Sequence, residues 1–140
     1  MSLTKLIPYL DTMGMSLIDR MNIDLRQDTI TLILKPQNMD LYDPVEITFE
    51  EVSSFYYLDE NRQPQPYRTT PTSNRIDAIS YYSEGFGQFA AIEVINGVEK
   101  GPFAVSYPNF IVTMMDRSLL IEARTVKING QTFRVGYPSN

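Results

Sequence analysis

One dipeptide, Asn129-Gly130, constrains this chain more than any other feature. A two-residue hairpin loop of type I′ needs positive φ at both central positions, and Asn-Gly supplies it. The dipeptide separates Leu119–Ile128 from Gln131–Val135. A tight turn there pairs Ile128 with Gln131, Val126 with Phe133 and Arg124 with Val135. Val126, Ile128, Phe133 and Val135 then share one face, and Thr125, Lys127, Thr132 and Arg134 share the other. Turn chemistry and hydrophobic period select the same register, as they must in a half-buried hairpin. Further back, Leu119, Ile121 and Ala123 have the opposite parity to Val126 and Ile128. This requires either a bulge near Ala123–Thr125 or burial of both faces.

The same period of two runs through most of the chain. Leu17, Met21, Ile23 and Leu25 alternate with polar residues, with a break at Arg20. Arg26-Gln27-Asp28 reads as a turn. Ile30, Leu32 and Leu34 follow, and Pro36 ends that strand. Gln37–Pro44 reads as a loop. Val45, Ile47 and Phe49 alternate until the pattern slips at Glu50-Glu51-Val52, where a bulge is needed to keep Val52 inside. Phe55–Leu58 resumes it. Asp59–Arg75 holds Pro64, Pro66 and Pro71 and reads as one long polar loop. Strands are expected again at Ile76–Tyr82, Phe89–Ile95, Phe103–Tyr107 and Phe110–Met115, with turns at Gly85-Phe86-Gly87, Asn96-Gly97 and Pro108-Asn109. Before the strands, Leu3, Leu6, Ile7, Leu10 and Met13 recur at helical spacing, with Pro8 inside and Gly14 as a stop. The expectation is a single mainly β domain over residues 1–140. It is an antiparallel sandwich or partly open barrel of about 8–10 strands with one short N-terminal helix.

Composition narrows the chemistry. The chain has Cys 0, His 0 and Trp 0. Thiol nucleophiles, disulfides, cysteine or histidine metal sites and histidine-dependent triads are thereby excluded. The net charge of −5 is unevenly placed. Residues 1–60 carry four basic against eleven acidic side chains, net −7, and residues 61–140 carry eight against six, net +2. Nucleic-acid binding is disfavoured, since phosphates need clustered Lys and Arg. A basic protein partner suits the acidic half. No apolar run approaches a membrane span of roughly 18 residues, and Pro8 and Asp11 interrupt the N-terminal one. A cytoplasmic location without membrane contact is expected. A homo-oligomer through an uncovered sheet edge is a further expectation.

The closest carboxylates are Glu50-Glu51, Asp59-Glu60 and Asp40 with Asp43. Adjacent residues on a strand point to opposite faces, so Glu50 and Glu51 converge only through a bulge. Asn38, Asp40 and Asp43 lack the spacing of a calcium loop. Glu122 and Arg124 lie two apart and are expected to neutralise each other on one face. Gly85-Phe86-Gly87 lacks the lysine and following helix of a phosphate loop. The tyrosines stand out: Tyr56-Tyr57 and Tyr81-Tyr82 each put one ring on each face of a strand. No catalytic residue, metal site or cofactor follows from these patterns. Glu50, Glu51, Asp59 and Glu60, with the aromatic anchors Tyr56 and Tyr67, are the candidate protein-binding residues.

Two segments also carry a resemblance. They are Ile47-Thr48-Phe49-Glu50-Glu51-Val52-Ser53-Ser54-Phe55-Tyr56-Tyr57 and Leu119-Leu120-Ile121-Glu122-Ala123-Arg124-Thr125-Val126-Lys127-Ile128-Asn129-Gly130. Together they resemble small proteins of Gram-positive bacteria, the YxiG-like family, discussed as immunity-like proteins carried near toxin genes. The resemblance implies a β-rich fold and a protein-binding role, and it carries over no functional residue. The leading expectation is a non-enzymatic protein-binding module, of immunity type by the resemblance, that sets an acidic face against a basic partner. A small-ligand carrier with an aromatic-lined barrel interior comes second, and a carboxylate-dependent enzyme third.

Overall fold

The computed structural model describes residues 3–36, 43–59 and 74–138, with the side chains at 91–93 and 102–104 left aside. A 3-10 turn at Leu3–Lys5 leads into α1 (Leu6–Asp11). Nine strands follow: β1 (Leu17–Asp24), β2 (Thr29–Lys35), β3 (Val45–Asp59), β4 (Ile76–Tyr81), β5 (Phe89–Ile95), β6 (Val98–Ser106), β7 (Phe110–Met114), β8 (Arg117–Ile128) and β9 (Gln131–Arg134). Seven of them form one antiparallel sheet in the order β1-β2-β3-β8-β7-β4, with β9 on the other part of β8, and β5 and β6 form a separate hairpin. No helix among the described residues is long and apolar enough to cross a membrane.

The sheet is organised around β3 and β8, which pair along their whole length. Their neighbours change halfway. β2 pairs with β3 only from Val45 to Phe49, and β9 pairs with β8 only from Thr125 to Ile128. β7 pairs with β8 only from Arg117 to Ile121. The long ribbon thus passes from one layer, β1-β2-β3-β8-β9, into another, β3-β8-β7-β4. The outer edges of the two layers touch at a single bridge, Leu17 to Arg75. Backbone bonds from Ile18 N–H to Asn74 O (2.9 Å) and from Ile76 N–H to Ser16 O (2.7 Å) flank it. This is a partly open barrel.

Both long strands switch parity at the passage. Phe49 and Val126 face inward on one side, and Val52 and Ala123 face inward on the other. Between them lie Glu51, opposite Arg124, with φ of 53°. A left-handed residue turns the strand at a cost that few side chains accept without compensation. The compensation is visible: Tyr137 donates its hydroxyl to the Glu51 carbonyl at 2.6 Å. Ser53 is then the extra residue of a bulge between Val52 and Ser54. The slip read at Glu50-Glu51-Val52 is therefore real. The parity change on β8 has no bulge of its own, and β8 is buried on both faces from Leu119 to Ala123.

Asn109 holds this corner. β7 begins only at Phe110 and β9 ends at Arg134, so Ala123 has no strand beside it on that edge. The fully buried Asn109 side chain acts as a substitute peptide group. Its Oδ1 accepts the Ala123 N–H at 3.0 Å, and its Nδ2 donates to the carbonyls of Ala123 at 2.8 Å and Gly136 at 3.3 Å.

Inside the barrel, Phe49 and Phe110 meet edge to face at 5.1 Å, joining the two layers. Ile30, Leu32, Ile47, Val112, Ile121 and Phe133 complete the centre. Each such side chain contributes roughly 1.5–3 kcal/mol by leaving water. α1 plugs one end with Leu6 and Leu10, and Tyr9 stands edge-on to Phe133. Pro8 is tolerated because it sits in the first turn, where an N–H lacks a helical partner anyway. Gly14 is needed for closeness, since a Cβ there would lie 3.2 Å from the Asp77 carbonyl oxygen. The helix is shorter than its hydrophobic pattern, and Leu3 and Ile7 stay exposed. On the outside, Tyr56 stacks on Phe89 at 5.1 Å and shares a 2.7 Å hydrogen bond with Ser106. These contacts seat the β5–β6 hairpin.

Replacing Asn109 by Ala leaves three backbone groups without their buried partner. We expect a loss of about 3 kcal/mol in urea unfolding, since each buried orphan group costs about 1–3 kcal/mol. A loss below about 0.5 kcal/mol would contradict this role.

Candidate functional site

Two acidic residues of the first half meet basic residues of the second where β3 pairs with β8. Glu50 pairs with Lys127 at 3.7 Å, and Glu51 with Arg124 at 3.5 Å. Thr125 also donates its hydroxyl to Glu51 at 3.3 Å. The acidic half of the chain thus meets the basic half side by side. These are part-exposed pairs, each worth about 0.2–1 kcal/mol. Glu50 and Glu51 do not converge on a common point. Asp59 ends β3 opposite Arg117. Tyr56 is committed to the β5–β6 hairpin. Glu60 and Tyr67 lie outside the described residues, as do Asn38, Asp40 and most of the 59–75 loop.

Glu122 and Arg124 do not neutralise each other, because the parity change falls at Arg124. Glu122 is 8% exposed and accepts the Ser53 hydroxyl together with the Tyr107 N–H at 2.8 Å. It fastens the bulge to the loop before β7. Arg124 instead lies over the Tyr137 ring, 4.7 Å from its centroid. Gly85-Phe86-Gly87 forms a turn with Phe86 exposed and tilted against Tyr82. No group of three or more acidic side chains among the described residues could hold a metal ion.

The concave feature that the sequence did not announce lies between two strand edges. β2 leaves β3 after Phe49, and the Asp28 carbonyl accepts the Val52 N–H at 2.9 Å. Asp28 has φ of 56°, which brings the β1–β2 turn onto the bulge. Beyond Val52, β3 pairs only with β8 among the described residues. A cleft of about 330 Å³ opens there. Ile23, Leu25, Ile30 and Phe55 form its apolar walls, with Asp24 and Asp28 at the side. Asp24 Oδ1 accepts the backbone N–H groups of Arg26 at 2.9 Å and Gln27 at 3.3 Å, which sets the carboxylate in place. Arg26 approaches it only at 4.0 Å with its side chain 93% exposed. Asp28 has no ion pair among the described residues. Ser54 Oγ, on the wall, is buried and makes no hydrogen bond there.

A second, apolar cavity of about 170 Å³ adjoins it, with Met21, Leu32 and Tyr57 on its near side and Val112 and Leu119 on its far side. Ligand pockets run from about 300 to 1,000 Å³, and this cavity is smaller than that. The signals for the cleft were present in the sequence: the slip at Glu50–Val52, and apolar Met21, Ile23 and Leu25 on a strand that proves to be an edge.

Burial pushes the Tyr137 hydroxyl above its ordinary range. Arg124 pulls it down, while Glu51, Glu122 and Asp28 push it up. Burial also raises Tyr81, whose ring is tilted against Phe110 at 5.1 Å. Raised folded-state values favour the neutral hydroxyls, so their contribution is complete below the unfolded value of about 10 and is lost as pH climbs through the folded values. We expect the urea midpoint to fall above about pH 10, and less steeply in Tyr81→Phe/Tyr137→Phe. Equal falls in both proteins would contradict this assignment.

No curated protein matches the chain. The model of one family, described as YxiG-like protein, matches residues 6–133, from the first turn of α1 to Phe133 in β9. That match covers α1, β1 to β8 and most of β9, and the chain belongs to the YxiG-like family.

Proposed function

We propose that this chain is a non-enzymatic protein-binding module, of immunity type, whose partner presents basic groups. The observation that carries this is the cleft between the β1–β2 turn and the bulged β3. It sets the carboxylates of Asp24 and Asp28 beside exposed apolar walls. Such a mixture suits the stem and head of a Lys or Arg side chain, whose methylenes take apolar surface while the charge finds a carboxylate. The net charge of −5 adds long-range attraction for a basic partner. The chemistry of the carboxylates supports a binding role over catalysis: Glu50, Glu51 and Glu122 are each engaged by different groups. The acidic face expected from the sequence is thereby narrowed to one cleft, with Glu50 and Glu51 as supports. The reading places the module in the cytoplasm. A small-ligand carrier has less support, given an apolar cavity of about 170 Å³.

The test is capture of partners from the source bacterium by the full chain, at low and high salt. It is run beside Asp24→Asn/Asp28→Asn. Asn keeps the Oδ1 acceptor at position 24 and tolerates the left-handed backbone at 28. We expect a basic partner whose affinity falls with salt and drops about ten-fold or more in the variant, the scale of one lost close charge pair. Co-expression with a toxic domain encoded beside the gene should restore growth. Capture that ignores both salt and the variant contradicts the proposal.

A further inference from the structure

Building on the protein-binding reading, we infer that the partner is held as an extended strand. It adds to the free edge of β3 from Ser54 onward and carries a basic and an apolar side chain two residues apart.

The geometry of the two cavities leads to this. The acidic cleft is lined by Ile23 of β1, Ile30 of β2 and Phe55 of β3. The apolar cavity is lined by Met21, Leu32 and Tyr57. On each strand the residues that line the two cavities lie two apart. Met21 faces Leu32 and Ile23 faces Ile30 in the β1–β2 ladder. Along β1 and β2 the side chains that line the two cavities are therefore one full pleat apart, about 7 Å. That is the separation of side chains i and i+2 on one face of a strand. A helix would place its neighbouring side chains three or four residues apart instead.

The edge is available to receive such a strand. β3 loses β2 after Phe49, the Val52 N–H is taken by Asp28, and past that point β3 pairs with β8 alone among the described residues. Val52 through Tyr56 line the cleft consecutively, both parities included, so the cleft looks onto the edge of the strand and not onto one face. An unpaired edge is a template for main-chain hydrogen bonds, and alternate side-chain pockets then give selectivity. The exposed apolar side chains follow the same line: Leu25 is 74% exposed, Met21 54% and Tyr57 54%. Charge sets the order of the two side chains. Asp24 and Asp28 stand at the larger cavity, and no carboxylate lines the smaller, mostly apolar one.

A peptide series tests this with the full chain. The probes are acetylated, amidated Thr-rich peptides of about ten residues, each with one Lys and one Leu, differing only in the spacing between them. Binding is followed by amide chemical shifts in the isotope-labelled protein. We expect the spacing of two to bind at least about ten-fold more tightly than a spacing of one or three. Shifts should concentrate on Ser54–Leu58 and Met21–Leu25. Asp24→Asn/Asp28→Asn should weaken the best peptide about ten-fold without moving the remaining spectrum. Failure of every peptide to bind, affinity independent of spacing, or shifts confined to other strands would overturn the strand mode. Salt-dependent capture of the natural partner alongside any of those outcomes would leave the protein-binding reading standing and remove only this one.

Discussion

The barrel depends on one corner, where Glu51 of β3 stands opposite Arg124 of β8. With apolar residues at Phe49 and Val126 on one side of it and at Val52 and Ala123 on the other, the ribbon keeps all of them on the core only if parity changes at the corner. Here both strands change parity together, from Phe49 and Val126 to Val52 and Ala123. The price is a left-handed Glu51 and an unpaired stretch of β8. Asn109, Tyr137, Val135 and Gly136 meet those needs: Asn109 serves Ala123, Tyr137 serves the Glu51 carbonyl, and the N–H groups of Val135 and Gly136 donate to the Arg124 carbonyl at 2.9 and 3.0 Å. The last described residues of the chain therefore belong to the folding of its middle.

The same corner generates the cleft. Because β3 turns away from β2 after Phe49, it stops being a central strand and becomes an edge among the described residues. The β1–β2 turn fills only the first step of the gap, through Asp28 to Val52. What remains is a channel with strand edge on one side, β1 on the other and the floor supplied by Ile30 and Leu32. Glu50, Glu51 and Glu122 are engaged in holding the corner, whereas Asp24 and Asp28 line the cleft from the β1–β2 turn.

Much of the fold was legible in the sequence. The Asn129-Gly130 hairpin forms with the register that its side-chain pattern required, and Val135 N–H reaches the Arg124 carbonyl as the same register implies. The need for a bulge after Glu50 was also visible, because a slip in a period of two has few physical solutions. The function of Asn109 was not. It read as a turn residue beside Pro108, and nothing local shows that its side chain replaces a missing strand neighbour nearly fifteen positions away. The candidate site was legible only in part. Paired charges such as Glu50 and Lys127 come from distant segments, so an acidic run in the chain is not an acidic face in the fold. Glu122 and Arg124 share a face only if parity is kept between them, which the corner prevents. Exposed Met21, Ile23 and Leu25 looked like ordinary strand residues until the sheet order placed them at an edge.

The central claim is that β3 is a central strand up to Phe49 and an edge strand from Ser54. Amide hydrogen exchange along β3, residue by residue, tests it directly. Continuous protection through Val45–Phe49, giving way to alternating protected and fast-exchanging amides over Ser54–Asp59, is the predicted result, because only every second amide there faces β8. Uniform protection across Ser54–Asp59 would show that edge to be covered within the chain and would contradict both the cleft and the strand it is proposed to receive.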